Sequence, residues 1–573
     1  MNDSLNKDTF AKMVFKAKVR WIVGASLLGA AIITFFLSPV LFYESGMILG
    51  LVFFMLSLLM QAAGFPLLIT GLLRRRRQKK SQKRQDTPEK QEIPSDKPAK
   101  KARFHYRNLS KAKRALIVVC LVVFSVGFTL SVFISVCVGM SYRDETVPSG
   151  TLSMIGNLLR SKNSVHYQTF DDKAEFPVEN FRVSLSAMNH WEDGTDILTY
   201  DYTYTDGTHT ATDMKSLQTL YNAYGATEMY VRINTTRSYP EQDVKDYYHA
   251  RMHCLEESKK VCQVAAELNM PINVELGCFA TYSDAFESQY PDFSEYSEIN
   301  YPLDKNGNPK AWENMSLEEM CSVLRQYGKL VASEIAEIGC EVNYWDLGNE
   351  TNYGFAGVMM PLDSAVTKAT SLSPYITYML SGFGADWLAE NVWCYNAKMF
   401  AAVREGILEV YPNAKFSSHI STVTWGPDYV VKYFKTLKEN GYSVDQAGIS
   451  YYPNATGVIL DKIAQIKKIV LAVNRELGVN VMLAEYGYAN ETGLASGTFS
   501  SWNNKVHGYA LNDEDGARFL TELITWGQKN GMAGIRPWAC ELDWAMPWFD
   551  FDAETYTATA KTALFDAMKS ATA

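Results

Sequence analysis

The sequence predicts an α/β protein, a closed (β/α)8 TIM barrel preceded by an N-terminal α-helical membrane region with three transmembrane helices. Three observations predict it. Eight β-type runs alternate with helical patterns from residue 181 onward. Three uncharged apolar stretches fill much of the first 140 residues. The charge also divides sharply: residues 1–144 carry 23 Lys+Arg against 8 Asp+Glu, and residues 145–573 carry 32 against 55.

The apolar stretches come first in the chain. Trp21–Tyr43 and Met47–Leu73 are separated only by Glu44-Ser45-Gly46, and Ala115–Met140 follows a polar gap. Each is long enough to cross a hydrocarbon core of about 30 Å at about 1.5 Å per residue, and each is too long for the apolar core of a cleaved signal peptide. Residues 74–114 hold 17 basic and 4 acidic side chains, beginning RRRRQKKSQKR, so the positive-inside rule places them in the cytoplasm. The expected organisation is a membrane hairpin in residues 1–73 (spans 21–43 and 47–73), a basic cytoplasmic linker at 74–114 and a third span at 115–140. A juxtamembrane linker at 141–178 and an extracellular barrel domain at 179–573 complete it. This is a multi-pass cell-membrane protein with the lipid bilayer as a partner. Because the basic residues flank apolar runs, the charge points to topology and no nucleic-acid partner is expected.

Of nine cysteines, Cys120 and Cys137 lie in the third apolar run, and the other seven are scattered with no CxxC pair. Zinc spacing is absent, and buried thiols rather than a disulfide framework are expected.

The β-type runs follow in order: FRVSLSAM (181–188), ATEMYVRI (226–233), PINVELG (271–277), CEVNYWDLG (340–348), AKFSSHIS (414–421), VDQAGISYY (444–452), NVMLAEYGY (480–488) and AGIRPWAC (533–540). Helical patterns at 214–225, about 242–268, 316–338 and 392–410, and one before each of the last three runs, separate them. A hydrophilic excursion follows the first run. Such alternation argues a parallel sheet, and eight units argue closure into a barrel. An open doubly wound sheet is the alternative, but no glycine-rich phosphate loop follows the first run.

In such a barrel reacting groups sit at the C-terminal ends of the strands. The fourth run ends in Asn349-Glu350 and the seventh in Glu485. The second carries Arg232, the fifth His419, the sixth Tyr451 and Tyr452, and the eighth Trp538. Two carboxylates facing one aromatic-lined mouth suit glycoside hydrolysis, in which one carboxyl group protonates the leaving oxygen while the other attacks the anomeric carbon. Aromatic rings accommodate the C–H faces of sugars. The plainer reading of a lone strand-end Glu is a surface or salt-bridged residue. The second strand-end Glu and the preceding Asn weigh against it.

At these residues the chain resembles the retaining (β/α)8 hydrolases of clan A, and within them glycoside hydrolase family 53, the arabinogalactan endo-β-1,4-galactanases. GNETNYG (348–354), AGISYYP (447–453) and LAEYGY (483–488) match that family's segments, with partial matches at YVRINTT (230–236) and TYSD (281–284). The resemblance implies Glu350 as acid/base, Glu485 as nucleophile and Asn349 as the ligand of a sugar 2-hydroxyl. It places Arg232 below the nucleophile, His419 and Tyr451 around the central subsite and Trp538 as its floor, with Asp284 of TYSD among the substrate-binding residues. Core or wall packing is the alternative for Arg232, His419, Tyr451 and Trp538. Trp544 and Trp548 stack outer sugars or cover the rim. The chain departs from the family at SAMNHW (186–191), at ELGCFATYSD (275–284), where a histidine is missing, and at RPWACELDW (536–544). Galactan specificity is thereby less secure than reaction type.

No cofactor is expected. Some family members hold Ca2+ near the last strands, but NDEDG (512–516) lacks calcium-loop spacing and reads better as a helix start. Sequons such as Asn349-Glu350-Thr351 read as chance. The expected function is a monomeric catalytic domain acting on a polysaccharide or oligosaccharide substrate. The alternatives are a glycosidase trimming the cell's own exported polysaccharide and a catalytically inactive carbohydrate sensor.

Overall fold

The computed structural model describes residues 165–188, 198–238, 252–281, 283, 289–359, 384–489 and 498–572. It also describes 126–127, 129–141, 147, 151–159 and five single positions at 23, 26–27, 60 and 67. The chain divides into two compact units, residues 1–140 with 379–383, and residues 141–378 with 384–573. In the first, the described part is essentially one helical segment containing the buried Phe133 and Cys137.

The expectation of three transmembrane helices is corrected here: among the described residues no helix is long and apolar enough to cross a membrane. Apart from single positions, the runs at 21–43 and 47–73 lie outside the described residues, as does the basic linker at 74–114. Of 115–140 only the later part is described. Its described helical positions are 126–127 and 129–140, and the described helix runs on to 141. It also carries Ser131 and Ser135, the Ser135 hydroxyl donating to the Ser131 carbonyl at 2.8 Å.

The second unit is built on eight parallel strands: β1 (Arg182–Val183), β2 (Met229–Ile233), β3 (Ile272–Leu276), β4 (Val342–Leu347), β5 (Phe416–Ser421), β6 (Gln446–Tyr451), β7 (Asn480–Tyr486) and β8 (Met532–Pro537). They pair in the order β1-β8-β7-β6-β5-β4-β3-β2. The two ends of the sheet meet: Thr227 N–H donates to the Val183 carbonyl at 2.8 Å, and Tyr230 N–H to Ser186 Oγ at 2.9 Å.

Helices follow the strands: α1 (Met214–Ala223), α2 (Leu255–Glu267), α3 (Leu317–Ile338), α4 (Cys394–Leu408), α5 (Pro427–Glu439), α6 (Lys462–Leu477), α7 (Asp513–Asn530) and α8 (Thr562–Thr572). Local signals set their ends. Ser316 and Glu319 form a capping box at the start of α3, Pro427 opens α5, and Gly339, Gly478 and Gly531 adopt left-handed conformations after α3, α6 and α7. Asn512 caps α7 by accepting from Asp515 N–H at 2.8 Å, so the stretch 512–516 serves as a helix start.

The hydrophilic excursion after β1 does not remain a loop. Strands 199–205 and 210–213 join 549–552 and 557–560 in a separate four-stranded sheet that links the two ends of the barrel sequence. Tyr204 packs edge-on against Phe549 at 4.9 Å, and Tyr202 against Phe551 at 5.0 Å. Residues 167–178 lie along α6 and α7. Gln168 N–H donates to Asp461, Lys467 pairs with Asp171 at 2.6 Å, and Val178 N–H donates to the Gln528 carbonyl at 2.8 Å.

Helices α3 and α4 touch backbone to backbone. A Cβ added at Gly406 would lie 2.0 Å from the Arg325 carbonyl oxygen, and one at Gly328 would lie 2.5 Å from that of Val403. Overpacking of this kind costs about 1–3 kcal/mol. Gly406→Ala should therefore lower the chemical-denaturation midpoint by an amount equivalent to about 2 kcal/mol, even though Ala is the better helix former.

Candidate active site

The stretch after β4 is a bent, bolted turn. Gly348 (φ 82°) and Glu350 (φ 43°) both have left-handed backbones. A side chain at Gly348 would meet Thr351 Cγ2 at 2.3 Å, and a non-glycine residue at positive φ costs about 1–3 kcal/mol. The two residues after Glu350 hold it there. Thr351 N–H donates to the His419 carbonyl at 3.0 Å, and its hydroxyl lies 2.6 Å from that of Tyr433. Asn352 bonds both backbone groups of Ser421, its Oδ1 accepting at 2.6 Å and its Nδ2 donating at 2.9 Å. In GNETNYG, then, Asn349 and Glu350 are presented while Thr351 and Asn352 fasten the turn to β5. The Asn349 and Thr351 side chains are buried, which leaves this sequon no accessible acceptor.

Below the turn, polar side chains fill the barrel interior. Arg232, Glu275 and Asp346 are register neighbours on β2, β3 and β4. The Arg232 guanidinium lies 2.6 Å from Glu275 Oε1 through Nε. Its Nη2 donates to Asn349 Oδ1 at 3.1 Å and lies 3.7 Å from Glu485 Oε1. Tyr230 donates to Glu275 Oε2 at 2.8 Å, and Arg536 lies over the Tyr230 ring at 4.1 Å and 3.9 Å from Glu275. Burial opposes the Arg232 charge, but Glu275 and Glu485 more than compensate and hold it firmly protonated.

His419 on β5 joins the two sides. Its Nδ1 lies 2.9 Å from Asp346 Oδ2, and its Nε2 lies 3.0 Å from Asn349 Oδ1 and 3.2 Å from the Glu350 nitrogen. Burial disfavours the imidazolium, but Asp346, Glu275 and Glu485 raise its pKa to about 9. As imidazolium its Nε2 donates to Asn349; only as neutral ring can Nε2 accept from Glu350 N–H. Gly448, paired with His419 across β5 and β6, makes room: a Cβ there would lie 2.5 Å from the His419 Cβ. With Arg232 and His419 on its oxygen and the Ser283 carbonyl 2.6 Å from its nitrogen, the Asn349 amide has one orientation and, among the described residues, one N–H left over.

Glu485 on β7 is nearly buried. Tyr452 donates to its Oε2 at 2.9 Å. Burial lifts its carboxyl above the ordinary range, while His419, Arg232 and the Tyr452 hydroxyl pull it back and Glu275 pushes it up. The Tyr452 phenol feels the charges of both Glu485 and Glu350, which push its pKa up along with burial.

Arg232, Asn349, Glu350, His419 and Glu485 are thus brought together at the C-terminal ends of their strands. His419 is fully buried beneath the turn, so it supports the site rather than lining it. Tyr451 does not face the mouth, because its hydroxyl donates to the Lys462 carbonyl at the start of α6. Tyr452 takes the place expected of it, since neighbouring strand positions point to opposite faces. Trp538 and Trp544 are half-buried, 5.7 Å apart edge to face, and both pack against Phe499. Trp548 is buried on Phe565, which leaves it no face for a sugar. Asp284 lies outside the described residues. Sequence reasoning missed Glu275, Asp346, Tyr230 and Arg536; their signal is a polar or charged side chain inside a short, buried strand.

Ligand atoms of Glu275, Asp346 and His419 lie within 4.8 Å of one another, a spacing that would suit a metal ion. The chemistry of the set does not suit one. His419 Nδ1 is committed to Asp346 and Glu275 to Arg232 and Tyr230, and a second guanidinium, Arg536, stands 3.9 Å away.

An eight-stranded parallel barrel with Asn-Glu after its fourth strand and a buried Glu on its seventh has the site architecture of the (β/α)8 glycoside hydrolases. Residues 292–573, just under half of the chain, match the model of Glycosyl hydrolase family 53. A curated relative, an endo-β-1,4-galactanase of Bacillus subtilis (strain 168), is 23% identical over 254 residues, 44% of this chain and 50% of the relative. The chain thus matches about half the length of that relative. Among solved structures, the family 53 catalytic domain of Ignisphaera aggregans is similar with a TM-score of 0.46 and 17% identity over 64% of this chain and 91% of the other. A structure of fungal β-1,4-galactanases gives 0.44 and 14% over 64% and 93%.

The His419–Asp346 pair makes stability depend on pH. A folded pKa of about 9 against an ordinary 6.5 gives a contribution fully present below 6.5 and lost as pH rises through about 9. Replacing Asp346 by Asn should bring the NMR titration midpoint of His419 down by about two units. It should also flatten the fall in melting temperature between pH 6.5 and 9, a term of roughly 3 kcal/mol in the wild type.

Proposed function

We propose that this chain is a galactanase-like retaining glycoside hydrolase acting on β-linked, galactose-containing polysaccharide, with Glu350 as acid/base and Glu485 as nucleophile. The observation that carries the reading is that one buried guanidinium, Arg232, reaches both Glu485 and the Asn349 that precedes Glu350. The substrate class comes from the family and from the galactanase relative.

In the first step Glu350 gives its proton to the glycosidic oxygen as a Glu485 oxygen bonds to the anomeric carbon and the glycosidic bond breaks. The aglycone leaves as an alcohol, and the sugar remains as an ester of Glu485. In the second step Glu350, now a carboxylate, takes a proton from water as the water oxygen attacks the same carbon and releases Glu485. The Tyr452 hydroxyl on Oε2 and Arg232 beside Oε1 both favour the ionised nucleophile against the cost of burial. The spare Asn349 N–H serves the sugar 2-hydroxyl, and Trp538 with Trp544 supplies apolar faces for the rings.

Two measurements test the assignment. Glu350→Gln and Glu485→Gln should each lower the rate of β-1,4-galactan hydrolysis by roughly 10³-fold or more, while Tyr451→Phe, whose hydroxyl faces α6, stays within a few-fold. The acid limb of the kcat/KM profile should lie above the ordinary 4.5 of a glutamate, because burial raises Glu485. Tyr452→Phe, which removes a donor to that carboxylate, should move the limb further up. A limb at or below 4.5, or one indifferent to Tyr452, would remove Glu485 from the nucleophile's role.

A further inference from the structure

The loop after β8 carries the two half-buried tryptophans, and midway between them in sequence stands a buried acid that the reaction does not use. Glu541 is 1% exposed, three residues after Trp538 and three before Trp544. Its Oε1 accepts from the backbone N–H of Met188, just beyond β1. Its Oε2 accepts from the Tyr221 hydroxyl of α1 at 3.2 Å. Its own carbonyl accepts from Tyr204 of strand 199–205 at 2.9 Å, and Tyr200 of the same strand donates to the Met188 carbonyl at 3.0 Å. Three separately folded elements therefore converge on one residue of a loop that otherwise makes few strand-type bonds.

The Met188 side chain packs against a cluster made of Tyr452, Ala489, Phe499, Ala539, Leu542, Ala545 and Met546, on which Trp538 and Trp544 also rest. The bond from Met188 N–H to Glu541 thus fixes, from the far side, the seat of both indoles. We propose that Glu541 is a positioning residue: it pins the β8–α8 loop to the end of β1 and to α1, and so sets the placement of the tryptophan platform that receives substrate. The inference rests on the reading of the mouth as a sugar site.

The charge of Glu541 is held by hydrogen-bond donors alone, with no paired cation among the described residues. The groups facing it are Tyr221 from α1 and Tyr204 and Tyr200 from strand 199–205, with Cys540 beside it on its own loop. Burial lifts the Glu541 carboxyl to about 7, against the pull of Met188 N–H and Tyr221. The proton that it holds stabilises the fold fully below about 4.5, and this contribution is lost as pH rises through about 7. Platform placement should follow the same titration.

Two readouts test this, one with substrate and one without. In the full chain, Glu541→Ala should raise KM for β-1,4-galactan about tenfold with kcat within about twofold, and Glu541→Gln, which keeps an acceptor for Met188 N–H, should restore KM to within about threefold. Gly406→Ala, destabilised far from the mouth, should leave KM unchanged. An unaltered KM in Glu541→Ala, or an equal rise in Gly406→Ala, would overturn the inference. If the wild type hydrolyses no galactan, the functional reading fails, and the second readout decides this one alone. With 5-fluorotryptophan incorporated, the ¹⁹F resonances of Trp538 and Trp544 should shift with a midpoint near pH 7 in the wild type and be flat in Glu541→Gln. Resonances that titrate identically in both proteins, or in neither, would contradict a pin at Glu541.

Discussion

The Arg232 guanidinium is the constraint on which the rest of the site depends. It lies in the barrel interior against Glu275, Asn349 and Glu485, where water cannot solvate an unpaired ion. Removing one partner of such a group typically costs about 3–5 kcal/mol, because the remaining charge stays buried. The surroundings answer this by balance. Glu275, Asp346 and Glu485 face Arg232, Arg536 and the His419 imidazolium, three anions against three cations. Asp346 and Glu485 hold the His419 and Arg232 charges in place, and those cations in turn favour the ionised forms of the two acids.

That balance also explains the strained turn. Glu350 takes a left-handed backbone that a non-glycine residue avoids, and Gly348 two positions earlier takes another. Thr351 and Asn352 offset the cost through their bonds to His419, Ser421 and Tyr433, so the strain at Glu350 is secured by β5 and α5. His419 belongs to both systems: its ring touches the charge network and the turn, while its carbonyl anchors Thr351. The route from Asp346 to Glu350 runs through this ring, whose Nδ1 lies 2.9 Å from Asp346 and whose Nε2 lies 3.2 Å from the Glu350 nitrogen.

Much of this was legible in the sequence. Seven of the eight strands lie wholly within a β-type run and β8 begins one residue before its own, because parallel strands buried on both faces read as short β-branched and aromatic stretches between helical periods. Glu350 and Glu485 stood out as acids at strand ends. What could not be read was register. Tyr451 and Tyr452 are adjacent and identical, and only the pleat tells which one faces the mouth. Glu275 and Asp346 looked like interruptions of apolar strands because their partners, Arg232 and His419, lie on other strands. The sheet of 199–205, 210–213, 549–552 and 557–560 was hidden because its strands are polar and its halves are some 340 residues apart. The apolar N-terminal runs lie mostly outside the described residues, and among the described residues no helix is long and apolar enough to cross a membrane.

The most direct test of the central claim is covalent trapping. A 2-deoxy-2-fluoro-β-galactoside with a good leaving group slows both steps, and the second more, so a retaining enzyme accumulates its glycosyl ester. Peptide mapping by mass spectrometry should find one added fluorogalactosyl group, on Glu485, formed at a rate that falls sharply in Arg232→Met. A label on another residue, or no label while the protein still hydrolyses galactan, would contradict the account.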